Sequence, residues 1–410
     1  MKQYVIIGNG VAAVGCIEGI RSVDKDGKIT VVSEEKHAVY GRPLISYYLE
    51  NKTDLEHINY RPADFYEKNG CEVIYGKKAV KIDSEKKSVT LDDKTVLSYD
   101  SVCVATGSSP FVPPFEGLDT VEKKFSFMTL DDTLALESAI DENSKVLIVG
   151  AGLIGLKCAE GLHSRVAEIT VCDLADRVLS SILDNECAEI MQNHLEQNGI
   201  KFMLNDSAEK FSKNTAFMKS GKTVEFDVLV LAVGVRANVS LAKEIGASIN
   251  RGIIVDERLQ TTVKDVYSAG DCTEGNDISC GEKRVLALLP NAYMQGFTAG
   301  ANMGGGDKVF DNAIPMNSIG FFGLHAMTAG SYDGEMFEEK TETKLKRLFT
   351  KDNCLKGFIL IGDTERVGIY TSLIREKTPL DSIDFETLKK VATYTAFSAE
   401  TRRKKFGGVV

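Results

Sequence analysis

The chain builds the same glycine-rich corner twice. Residues 4–13 read YVIIGNGVAA and residues 146–155 read VLIVGAGLIG. In each, an apolar run ends on a glycine, a second glycine follows, and a helix-forming stretch begins. A strand that turns sharply into a helix aims the helix's unpaired N–H groups and positive dipole end at one point, which suits a pyrophosphate. Gly8 provides the tight turn and Gly10 the close backbone approach; Val11 and Ala12 open the helix, and Ala13 keeps it against the strand. Gly150, Gly152, Leu153, Ile154 and Gly155 repeat the set. The first helix is predicted to run towards Arg21 and to be followed by the strand KITVVSEE, which closes on Glu34 and Glu35. The second reaches about His163 and is followed by EITVCD, which closes on Asp173. An acid at that place can hold ribose hydroxyls.

One such corner is weak evidence, because glycines also recur in ordinary turns. The duplication extends further. YDSVCVATG (99–107) aligns without gaps to FDVLVLAVG (226–234), and each follows a stretch punctuated like hairpins, IDSEKKSVTLDDKTV and FSKNTAFMKSGKTVEF. Two complete strand–helix–strand and meander units imply two dinucleotide sites.

Composition narrows the rest. No apolar run approaches the roughly 18 residues that a membrane span needs, and the chain passes from Met1-Lys2-Gln3 straight into its first strand, so a cytoplasmic protein without a membrane span is expected. A net charge of -10 argues against nucleic acid as a partner. The nine cysteines are odd in number and scattered, with no CxxC and no Cys/His cluster, so neither a disulfide framework nor a metal site is expected.

Several further motifs stand in order along the chain: VYGRPLISYYL, ATGSSP, DLADRVL, AVGVRAN, VYSAGDCTE, and LLPNAYMQGFTAGANM. With the two corners, they make the chain resemble the two-dinucleotide-domain flavoproteins, a superfamily that includes glutathione reductase, NADH oxidases and ferredoxin reductases. The YGRPLIS stretch and GDTERVGIYTSLIREKTPL resemble most the rubredoxin-reductase and nitrite-reductase-like branch. The resemblance implies an α/β fold of two Rossmann-like dinucleotide-binding domains, one inserted in the other, with a smaller α+β C-terminal domain. The corresponding ranges are 1–115 and 250–312 for FAD, 116–249 for NAD, and 313–410 for an interface or cover domain.

On the matching positions, Gly8, Gly10, Val11, Ala12 and Ala13 would cradle the FAD pyrophosphate, with Glu34 as the ribose acid and Glu35 as the alternative. Arg42 and Pro43 would lie beside the flavin, with Val80 at the adenine through its backbone. Ala105, Thr106 and Gly107 of ATGSSP would join the FAD site, with Gly270 and Asp271, the acid that would bind the ribityl chain. A helix from Asn291 and Ala292 to about Ala301 would set its positive end against the reduced flavin, an effect of up to about 2 kcal/mol. The NADH site would use the second corner, Asp173 and Gly234. Asp173 decides the nucleotide, since a carboxylate repels a 2′-phosphate by about 4 kcal/mol per unit charge at 4 Å and an effective dielectric near 20. NADH is therefore expected. Arg177 is expected to pair locally.

In disulfide-reducing relatives one or two cysteines stand on the helix facing the flavin; here that stretch is YGRPLISYYLENK and has none. His325 is isolated, with no His–Glu acid/base motif. Thiol chemistry is therefore not expected. Flavin takes two electrons as hydride and releases them singly, so the resemblance implies a small rubredoxin- or ferredoxin-type iron protein as acceptor. Two alternatives stay open: an oxidase reducing oxygen, and a flavoprotein whose redox state governs partner binding. Whether the chain is an oligomer is also open. Ferredoxin reductases usually pair a lysine after RPPLS with a glutamate in the second corner's helix; here those positions are Tyr47 and Lys157. Lys157 is thus a candidate for acting at the flavin, with Arg42. The basic tail TRRKKFGGVV is expected to be solvated, or to steer an acidic carrier.

Overall fold

Strand Gln3–Ile7 is buried from Tyr4 onward, as a central parallel strand covered on both faces must be. It pairs in parallel with Lys28–Ser33 (Ile7 opposite Val32) and with Ser101–Val104 (Ile7 opposite Val104). Cys71–Tyr75 and Val266–Ser268 complete a five-stranded sheet at its two edges. A second five-stranded sheet repeats this plan around Lys145–Val149, flanked by Glu168–Asp173 and Val228–Leu231 and completed by Lys201–Leu204 and Lys124–Phe125. The aligned stretches 99–107 and 226–234 thus supply corresponding strands beside the two corners. Each punctuated stretch forms a three-stranded antiparallel meander: Ala79–Asp83, Ser88–Leu91 and Val96–Ser98 in one, Ala208–Ser212, Thr215–Met218 and Thr223–Glu225 in the other. The computed structural model describes residues 1–406. Residues 1–181, 195–275 and 283–311 form one compact unit, which is the duplicated α/β architecture expected. Among the described residues no helix is long and apolar enough to cross a membrane.

The second unit comprises residues 182–194, 276–282 and the chain from 312 onward. Its five-stranded antiparallel sheet runs in the order Met316–Phe321, Leu324–Gly330, Cys354–Ile361, Leu345–Lys351, Glu335–Lys340. Helices Gly368–Arg375 and Phe385–Lys390 bury Tyr370, Leu373 and Leu388 with Leu348, Phe358 and Leu360. The sheet's first two strands are joined by a turn at Phe322 and Gly323, both at positive φ. Strand Glu335–Lys340 escaped sequence reading because EMFEEK is mostly charged, as an exposed sheet edge can be. Ala399–Phe406 form a helix on which Arg403 and Lys404 are exposed; Gly407 to Val410 of the tail lie outside the described residues.

Segment 182–194 enters this unit through Arg347, whose side chain is 7% exposed and pairs with Asp184, Glu186 and, at 2.5 Å, Glu338. Arg347→Met leaves these carboxylates facing one another and is expected to destabilise the unit by about 3 kcal/mol in chemical denaturation. Burial works to raise the Asp184 carboxyl, but the Cys187 N–H and Arg347 outweigh it and hold its pKa below the usual value. A depressed carboxylate stabilises above its unfolded pKa and loses that contribution as pH falls through the folded value. The gap between wild type and variant should therefore close below about pH 4.

Candidate functional site

Helices Val11–Val23 and Leu289–Met303 cross with their backbones in contact. A Cβ on Gly296 would stand 2.0 Å from the Ala12 carbonyl oxygen, and one on Gly300 2.0 Å from that of Cys16. Gly15 and Gly19 answer from the other helix, each 2.2 Å from the carbonyls of Tyr293 and Phe297 by the same measure. The crossing sets the start of the second helix over the first corner. There a Cβ on Gly270 would meet the Ala12 methyl at 3.0 Å and the Ala292 methyl at 3.8 Å.

The two corners share one conformation. Gly8 has φ +112° and Gly150 φ +118°, and a Cβ on either would collide with a carbonyl of the neighbouring strand's end, Ala105 or Ala232. Beyond Gly10 and Gly152 nothing lies within 4 Å of where a Cβ would point. No side chain caps the helices that begin after Gly10, Gly152 or Leu288. Their first-turn N–H groups remain for an anion. Two open cradles, each ending on uncapped amides, fit two dinucleotide pyrophosphates.

The structure places the remaining candidates as follows. Val11, Ala12 and Ala13 are buried in helix Val11–Val23; Leu153 and Ile154 are half-buried in helix Leu153–Leu162, with Gly155 fully packed. Glu34 is exposed and pairs with Lys78 at 3.0 Å. Glu35 is engaged by Tyr40 Oη at 2.6 Å and by Arg42, and is less exposed than Glu34. Arg42 also donates to the Met128 carbonyl at 2.8 Å, and Pro43 beside it is exposed. Val80 is exposed on strand Ala79–Asp83. Thr106 is locked to Asn238 by bonds of 2.8 and 2.9 Å, between buried Ala105 and an open Gly107. Gly234 is exposed, and Asn291 is buried within the helix that also carries Ala292. Burial pushes the Asp271 carboxyl above its ordinary pKa against the opposing pull of Arg42 and Ser108, the latter at 3.4 Å.

Asp173 accepts from Ala151 N at 2.7 Å and from Ala175 N at 2.8 Å, so it shapes the second corner as well as facing it. Arg177 pairs with Asp176 at 2.7 Å. Lys157 pairs with the buried Glu160, and its ammonium lies 4.8 Å from the centroid of the Tyr47 ring. The two positions that depart from the ferredoxin-reductase pattern are thus brought face to face, because Gly161 lets helix Leu153–Leu162 approach Ser46 and Leu49 of helix Leu44–Leu49. Six of the nine free cysteines are buried; among them burial pushes Cys172 and Cys187 up to about 12.

Three residues that sequence reasoning missed hold the site. Gln295 accepts from Gly270 N at 2.9 Å and so fixes the Gly270-Asp271 turn. Asn238 ties residues 106–109 to the end of Val235–Ala237. Tyr40 accepts from Leu130 N at 2.9 Å, across ninety positions of chain that carry no local signal. For Gln295 a signal existed: Asn291, Gln295, Thr298 and Asn302 recur at helical spacing as polar residues on a buried face.

Comparison with known proteins agrees with this geometry. The sequence profile of the pyridine nucleotide-disulphide oxidoreductases matches residues 2–296. The chain is 36% identical to an NADH oxidase of Methanocaldococcus jannaschii, over 93% of each protein. It is 33% identical to the epsilon subunit of the NADH-dependent phenylglyoxylate dehydrogenase of Aromatoleum evansii, over 92% of each. Its fold is similar to that of NADH:rubredoxin oxidoreductase from Clostridium acetobutylicum, with a TM-score of 0.76 and 23% identity over 95% of this chain and all of that one.

Proposed function

The chain belongs to the pyridine nucleotide-disulphide oxidoreductase family, with FAD and NADH as its cofactors, and from that membership we propose that it passes electrons from NADH through FAD to a small one-electron iron carrier of rubredoxin or ferredoxin type. The observation that supports this reading is helix Leu44–Leu49, which carries no cysteine and whose Tyr47 ring meets Lys157. When bound, FAD supplies the chemistry by accepting a hydride and releasing its electrons one at a time. The protein supplies placement. The first corner would bind the FAD pyrophosphate, and helix Leu289–Met303 would turn its positive end towards the flavin. The second corner and Asp173 would hold the NADH pyrophosphate and ribose. Lys157, kept in place by Glu160 and Tyr47, offers a cation in the gap between the two helices. Arg42 holds the loop beside it.

The test is anaerobic. Protein reduced with one equivalent of NADH is mixed separately with oxidised rubredoxin, oxidised ferredoxin and air-saturated buffer, while flavin absorbance is followed. Fast reoxidation by one carrier and slow reoxidation by air is the expected result. Fast reaction with air and none with either carrier would make the protein an oxidase and overturn the reading. The second reading has an observation of its own in the identity to an NADH oxidase.

A further inference from the structure

Helix Leu130–Ala139 leads directly into Lys145–Val149, the strand that carries the second corner, and residues of segment 35–49 fasten it at both ends. At its N-terminal end Tyr40 Oη donates to Glu35 at 2.6 Å and accepts from Leu130 N at 2.9 Å. Arg42 bridges the same Glu35 to the Met128 carbonyl at 2.8 Å, and His37 pairs with Asp131 at 2.7 Å. Towards its C-terminal end Tyr48 donates to Glu137 at 2.8 Å. Arg165 joins Glu137 at 2.8 Å and the Leu49 carbonyl at 3.1 Å.

Leu130, Thr133 and Leu136 are buried, and Thr129 and Asp132 form a capping box at the first turn. On the side that faces Leu55 and Ile58, Leu130 and Leu134 line an open pocket, and there the directional bonds from segment 35–49 add to packing. Burial raises the Tyr40 hydroxyl above its ordinary pKa, so it stays a proton donor to Glu35.

We propose that Glu35, Tyr40 and Arg42 are positioning residues, which fix helix Leu130–Ala139, and through it the second corner, at the separation from the first corner that hydride transfer requires. Glu34 and Glu35 then divide the work of one strand end, the first facing the FAD ribose and the second bracing the NAD side. The proposal rests on family membership and not on the identity of the acceptor.

The experiment uses holoenzyme carrying Tyr40→Phe or Glu35→Gln. Flavin reduction by NADH is read by anaerobic stopped flow before any acceptor is added, so a failed carrier assignment leaves this outcome untouched. Amide hydrogen exchange over residues 130–139 is read in parallel. The expected result is faster exchange in that helix, FAD content equal to wild type, and a reduction rate at saturating NADH lower by roughly tenfold to a hundredfold, as a small misplacement of reacting groups produces. A wild-type reduction rate in both variants overturns the proposal. So does a loss of activity that tracks loss of FAD, since the residues would then retain the cofactor and position nothing. Should Tyr40→Phe fail to fold, Glu35→Gln alone decides between the same outcomes, because it keeps the shape of the side chain.

Discussion

Gly300→Val is expected to yield protein with less than about a tenth of the wild-type FAD and a stability lower by about 3 kcal/mol, the upper end of the ordinary cost of overpacking. The reason is that the new Cβ would stand 2.0 Å from the Cys16 carbonyl, which is backbone and has no rotamer through which to retreat. The helices Val11–Val23 and Leu289–Met303 must separate, and the meeting of Gly270, Ala12 and Ala292 opens with them. Both uncapped helix starts then lose their common target. At about 2–4 °C per kcal/mol the melting temperature should fall by roughly 6–12 °C. The check is the ratio of flavin to protein absorbance, with thermal unfolding beside it. Gly368→Ala is the control, because nothing lies within 4 Å of its new methyl group. Full retention of FAD by Gly300→Val would show that the crossing does not shape the site.

The pair Asp173→Ala and Leu174→Arg is expected to reverse nucleotide preference, with the ratio of kcat/KM for NADPH over NADH rising by roughly a hundredfold to a thousandfold. Removing a carboxylate beside a 2′-phosphate relieves about 4 kcal/mol per unit charge at an effective dielectric near 20, part of which solvent already screens. Leu174 is 66% exposed, so an arginine there disturbs no core and can pair bidentately with phosphate. The reversal has a cost. Asp173 also accepts from Ala151 N and Ala175 N, so both absolute rates should fall. Asp173→Asn separates the lost charge from the added arginine: one amide of the corner loses its acceptor and NADH use weakens, while NADPH use rises with the lost carboxylate but less than in the double variant. Steady-state kinetics with both nucleotides provides the measurement, and an unchanged preference in the double variant would remove Asp173 from the nucleotide site.

What was legible in the chain was whatever repeats locally. The corners, the strands that follow them and the meanders each carry a pattern within about a dozen residues, so both sheets and most candidate ligands could be named from GNGVAA, GAGLIG, ATG and AVG. The glycine crossing was legible too, though it went unread: VGCIEGI and QGFTAG space their glycines four apart, one helical face on each partner. Other features had no local trace. Arg347 draws residues 184 and 186 into the C-terminal unit across a long stretch of chain, and a charged side chain in a strand ordinarily marks a solvated face. Glu35 read as a spare ribose acid because its engagement depends on Tyr40 and Arg42 folding back on it, which spacing does not encode. The helix over Ala399–Phe406 left no trace because its charges lack an apolar stripe.

The order of strands also dictates a timetable during synthesis. The second sheet draws all its strands from residues 124–231, so the segment that makes it is finished as soon as it leaves the ribosome. The first sheet awaits Val266–Ser268, and helix Val11–Val23 awaits the partner that ends at Met303. Domains fold as units during translation, at some 5–20 residues per second. The half built on the second sheet should therefore be formed while the earlier-made half still exposes the glycine face of its first helix, and for those seconds that face is open to chaperones.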